Sequence, residues 1–100
     1  MERVMIMTDG VHTLFKETYD DHVSFKIKND IDDPKQGFVS IYIDTSPFDK
    51  YIKLSYASHA SGKIYDSEDS IKQHIEALEK TLDFIKQLKS YLIENGYTIE

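Results

Sequence analysis

From Ser67 to Asn95 the chain reads as one long amphipathic helix, and no other stretch limits the possible folds so strongly. Ile71, Ile75, Leu78, Leu82, Ile85 and Leu92 recur at alternating steps of four and three, with Lys89 interrupting the row. Ala77, Phe84, Leu88 and Tyr91 widen the row into the broad apolar stripe of a core-facing helix. Neither Gly nor Pro falls inside the run. Asp66 or Ser67 can cap its start, and Glu68 and Asp69 put negative charge where the helix dipole favours it. Asn95-Gly96 supplies a left-handed stop. At a rise of about 1.5 Å per residue, such a helix reaches roughly 43 Å.

Everything upstream reads as strand. Glu2 to Thr8 sets Val4 and Ile6 on one face and Met5 and Met7 on the other. Asp9-Gly10 is a strong hairpin signal, because both positions tolerate positive φ. Val11 to Tyr19 then returns antiparallel, with Val4 expected near Phe15 and Met5 near Leu14. After Asp20-Asp21, His22 to Lys28 alternates cleanly, with Val23, Phe25 and Ile27 opposite Ser24, Lys26 and Lys28. Asn29 to Gly37 is a loop by composition, and Pro34 excludes a central strand there. Phe38 to Thr45 and Lys50 to Ser58 alternate again. His59 to Tyr65 fits a tight hairpin or a plain connection, and Tyr97 to Glu100 a frayed tail or a short edge strand. The expected architecture is a single α+β domain over residues 1–100. An antiparallel meander of four or five strands (1–65) is packed by one long C-terminal helix (67–95), giving two layers.

Composition narrows the function classes. The formal net charge of −6 opposes non-specific attraction to nucleic acid or anionic lipid over the whole surface. The absence of Cys excludes a disulfide framework and a thiolate zinc site, and fits a reducing compartment. Met1-Glu2-Arg3 is followed by only a short apolar run, Val4 to Met7, too brief for a signal-peptide core, and no segment reaches the length of a membrane span. The cytoplasm is therefore the expected location, with no membrane partner.

No residue pattern assembles a catalytic set. Asp30, Asp32 and Asp33 crowd one loop, but a calcium loop needs a central Gly and a closing Glu that are not in place. His12, His22, His59 and His74 lack the spacing of a metal site. Ser55, Ser58 and Ser61 flank His59 without forming a nucleophile elbow. The Gly residues are scattered, so no phosphate loop forms. No catalytic residue, metal ligand or cofactor is expected.

Two surfaces remain. The acidic residues Asp20, Asp21, Asp30, Asp32, Asp33, Glu68 and Asp69 are the expected contacts of a small acidic, non-enzymatic protein-interaction module. Such a module would act as an inhibitor, immunity-type or regulatory protein, of phage or mobile-element origin, on a basic partner. The alternative is a single-stranded nucleic-acid binder. Lys26, Lys28, Tyr42, Tyr51 and Lys53 fall on the strand face opposite the apolar one, and lysines interleaved with aromatics on an open sheet neutralise a backbone and stack bases.

The long helix adds a third expectation. Strands of seven or eight residues reach only about 25 Å, so the helix must overhang its sheet, bend, or cross it diagonally. Its stripe stays apolar to Ile93, which predicts a homodimer contact at Phe84, Leu88, Tyr91 and Leu92. The competing arrangement packs that end on Met5, Met7 or Leu14.

Overall fold

Alternating apolar side chains set most of the strands, and residues from both sheets meet one helix in a shared core. The computed structural model describes residues 1–30, 39–58 and 64–100. In chain order the elements are β1 (Glu2–Thr8), β2 (His12–Thr18), β3 (Val23–Asn29), β4 (Val39–Ser46), β5 (Tyr51–Ser58), α1 (Glu68–Glu94) and β6 (Thr98–Ile99). The fold is α+β, as the residue pattern predicts.

The single meander is corrected to two three-stranded sheets, β1-β2-β3 and β4-β5-β6. The first is antiparallel throughout, whereas in the second β6 joins β5 in parallel. The backbone ladder breaks between β3 and β4, and side chains bridge the break. The Asn29 amide donates to the Ile41 carbonyl at 3.1 Å and accepts from the Ile41 N–H at 2.9 Å. The Phe25 N–H donates to Thr45 Oγ1 at 3.3 Å. These side-chain bonds stand in for the missing ladder, and their pairs, 29 with 41 and 25 with 45, follow one antiparallel register across the seam.

The first hairpin also departs from its expected register. Val4 pairs with Lys16 and Met5 with Phe15, and a bulge between Met5 and Met7 then sets Met7 opposite Leu14. The bulge turns Ile6 and Met7 toward the core and leaves Val4 and Met5 exposed. The tail forms the short strand β6.

Leu14, Phe25, Ile41 and Ile52 from the inner faces of both sheets meet Phe84, Leu88 and Leu92 of α1 in one buried cluster. Tyr91 and Tyr97 stand edge-on to Phe25, with ring centroids 6.2 and 5.2 Å away. Local chemistry fixes both ends of α1. Ser67 accepts from the Ser70 N–H while the Ser70 hydroxyl accepts from the Ser67 N–H, a reciprocal cap. At the far end Gly96 has φ +86°, and the N–H groups of Gly96 and Tyr97 bond back to Ile93 and Leu92, the Schellman arrangement.

Candidate functional site

The helix does overhang its sheets, but at the end opposite to the one expected. Its 27 residues span about 40 Å, against about 25 Å for a strand of eight. Every buried residue of α1 lies from Thr81 onward: Thr81, Phe84, Leu88 and Leu92. The C-terminal half is thus the half the sheets cover. Leu88 and Leu92 are fully buried, Phe84 is nearly so, and Tyr91 is half-buried against Phe25. Within one chain Phe84, Leu88 and Leu92 share a buried cluster with Leu14, Phe25, Ile41 and Ile52, and Tyr91 packs against it; of the residues in the competing arrangement, Leu14 and Met7 join this core and Met5 does not.

The exposed part is the N-terminal half. Between Glu68 and Lys80 no side chain is buried. Ile71 is 42% exposed, Ile75 50% and Leu82 66%. At about 100° per residue, Ile71, Ile75, Leu78 and Leu82 form a second apolar stripe, turned roughly 100° from the buried row of Phe84, Leu88 and Leu92. A helix serving only one core needs one stripe; this one carries two. Where the second stripe approaches the sheets, an open groove of about 450 Å³ runs between α1 and the β4–β5 hairpin, lined by Val39, Tyr56, Leu78, Leu82, Ile85 and Lys89. Tyr65 hydrogen-bonds the ring of His74, which fastens the chain before the helix to the helix's flank.

Among the described residues, the expected acidic contacts do not converge. Asp20 and Asp21 sit in the β2–β3 turn, where Asp21 bonds the His22 ring at 2.6 Å. That bond outweighs desolvation and holds the Asp21 carboxyl below its ordinary pKa. The Asp30 N–H bonds the Val11 carbonyl at the other end of the strands, about 20 Å away, and its carboxylate pairs with Lys28 at 3.5 Å. Glu68 and Asp69 lie at the overhanging tip of α1, about 24 Å along the helix from Phe84. Asp32, Asp33 and His59 lie outside the described residues. Among the described residues, no three His, Asp or Glu side chains gather as metal ligands. At helix spacing, Glu76 with Lys80 and Asp83 with Lys86 are within reach of each other, but neither pair closes to an ion pair.

The lysine–tyrosine face does assemble. Lys26, Lys28, Tyr42, Tyr51 and Lys53 all point away from α1, on the outer side of the two sheets. Tyr42 is 51% exposed. Acids interrupt the face, however. Asp44 lies opposite Lys53, and Lys28 is paired with Asp30. Glu17, on the same side, binds Arg3 at 3.6 Å, and that guanidinium covers the Phe15 ring at 4.3 Å. Desolvation and the nearby Glu100 carboxylate both raise the Tyr51 pKa.

Sequence reasoning missed the most constrained polar residue, His12. Its side chain is fully buried and stacks on Phe84 at 5.5 Å. Nδ1 faces Asp9 Oδ2 at 2.8 Å and Nε2 faces the Val39 carbonyl at 2.6 Å. A carbonyl and a carboxylate accept only, so each ring nitrogen faces an acceptor. Burial opposes ionisation of Asp9, but the His12 ring and the N–H groups of His12 and Val11 outweigh it and hold the carboxyl below its ordinary pKa. With both nitrogens occupied, His12 has nothing to offer a substrate. It joins β2, β4 and α1 across the seam. Only the Asp-Gly-Val-His spacing hinted at this, since an Asp at such a turn can reach three residues ahead.

No protein-family model matches this chain, and comparison with curated proteins and with solved structures gives no match either. Fold and surface together define a small α+β domain with one buried core cluster and, among the described residues, an exposed apolar row on its helix. Among the described residues, no helix is long and apolar enough to cross a membrane.

Proposed function

We propose that this protein is a small, acidic, non-enzymatic protein-interaction module, and that its contact surface is the exposed stripe of α1. One observation carries the reading: Ile71 and Ile75 are exposed on a helix half with no buried side chain, and Leu82 continues their exposed row past Thr81. Fully burying each such side chain is worth about 1.5–3 kcal/mol, so a stripe left open in the isolated chain favours an occupant. The acidic first turn, Glu68 and Asp69, lies beside the stripe and suits a basic rim on that occupant. An inhibitor, immunity-type or regulatory protein acting in the cytoplasm is the role this surface suits.

The test compares wild type with Ile75→Asp and Leu82→Asp, each verified as folded by circular dichroism. Loss of complex formation in both variants supports the reading. Complexes that survive both substitutions overturn it.

A second reading has its own observation, the exposure of Lys26, Lys28, Tyr42 and Lys53 on one outer sheet face. It assigns single-stranded nucleic acid to that face, with Tyr42 stacking a base and Tyr51 beside it. Anisotropy of a labelled oligonucleotide at low salt separates the two. Micromolar binding that Tyr42→Ala weakens favours the second reading, and no binding removes it.

A further inference from the structure

We infer that the occupant of the exposed α1 stripe is a second copy of this chain, its helix running antiparallel, with Ile75 of each copy against Leu78 of the other. This rests on the contact surface proposed above and names its partner. The stripe is a heptad seam: Ile71, Ile75, Leu78, Leu82 and Ile85 follow alternating steps of four and three, and of these Ile85 packs against the core. A symmetric pair needs one surface complementary to itself, and the seam's outer flank provides it. That flank carries Lys72, Glu79 and Lys86 at seven-residue spacing, alternating in sign. None of the three is ion-paired within the chain among the described residues.

The charges select the register. With Ile75 against Leu78, and Ile71 against Leu82, Lys72 of each copy lies beside Glu79 of the other. Each acidic first turn also comes within a helical turn of the other copy's Lys86. Sliding by one heptad step instead sets Lys72 against Lys86 and Glu79 against Glu79, so the neighbouring register brings like charges together. The chosen register buries the exposed Ile71, Ile75 and Leu82 of both copies in one contact. It directs each helix tip toward the groove formed by Val39, Tyr56 and Leu82 on the other. The two bodies then project from opposite ends of the pair, because each is packed on the C-terminal half of its own helix.

The experiment is sedimentation equilibrium on the full chain and on Lys72→Glu, Glu79→Lys and the double exchange. Wild type is expected at twice 11.6 kDa. Each single exchange creates two like-charge contacts by symmetry and is expected to weaken association about tenfold, while the double exchange restores it. A wild-type monomer at every concentration overturns the second copy as occupant. It leaves the broader reading intact if Ile75→Asp and Leu82→Asp still abolish other complexes. A dimer indifferent to both single exchanges, or one the double exchange does not rescue, overturns the antiparallel register.

Discussion

The side chain of Asn29 hydrogen-bonds both backbone groups of Ile41, and this bidentate contact replaces a rung of backbone ladder between the two sheets. Ile41 is fully buried, so water cannot take over if the amide is removed. Asn29→Ala is therefore expected to cost about 1–3 kcal/mol for each buried group left unsatisfied. Asn29→Asp keeps the acceptor for the Ile41 N–H but turns a second acceptor on the carbonyl, and is expected to be no better. Urea denaturation checks both, and a loss below about 0.5 kcal/mol would show that the seam relaxes to a direct backbone pair.

His12 and Asp9 tie the same end of the seam, since His12 lies opposite Asn29 and reaches the Val39 carbonyl two residues from Ile41. His12→Ala leaves the Asp9 carboxylate and the Val39 carbonyl without their ring partner, and is expected to cost about 1–3 kcal/mol for each group left unsatisfied. The pH dependence follows from Asp9, whose pKa is lowered on folding from 3.8. Below that value the unfolded chain binds more protons than the native one. The Asp9 contribution is fully present above pH 3.8 and is lost as pH falls through the lower native value. Asp9→Asn should remove that part of the acid dependence in pH-resolved denaturation.

Most of the fold is legible in the residues. Periods of two and of three-to-four steps locate the five long strands and α1, and Ser67 and Gly96 mark the helix ends. The split between β3 and β4 is not legible, because Asn29 and Thr45 are ordinary strand-end residues until they face one another. The overhang is half legible. Length against strand reach shows that part of α1 must protrude, but the stripe is apolar along both halves. What assigns the ends is the seating of Phe84 on His12 and of Tyr91 on Phe25, contacts between residues far apart in sequence.

The two stripes of α1 should answer mutation differently. Leu88→Ala opens a cavity in the shared core and is expected to cost about 2–5 kcal/mol. Leu82→Ala, at a position 66% exposed, is expected to stay within about 0.5 kcal/mol at dilute concentration. Thermal denaturation at low concentration reads the contrast, and equal losses would mean that the second stripe is covered within one chain.

Tyr42 gives the outer sheet face its own check. With its ring half-exposed and no part in the core, Tyr42→Ala should leave stability nearly unchanged. If that face binds single-stranded nucleic acid, the same change should weaken binding by about 1–3 kcal/mol. A titration in which wild type and variant bind equally would remove Tyr42 from any such site.

Amide hydrogen exchange along α1, followed as protein concentration rises, tests most directly whether the N-terminal half is built for contact. A helix half without buried side chains is marginal in isolation. In dilute solution residues 68–80 should therefore exchange much faster than residues 81–94. As concentration rises, residues 68–80 should gain protection while residues 81–94 stay as they were, and Ile75→Asp should abolish the gain. Slow exchange of residues 68–80 in the dilute chain, unchanged by concentration or by Ile75→Asp, would contradict it.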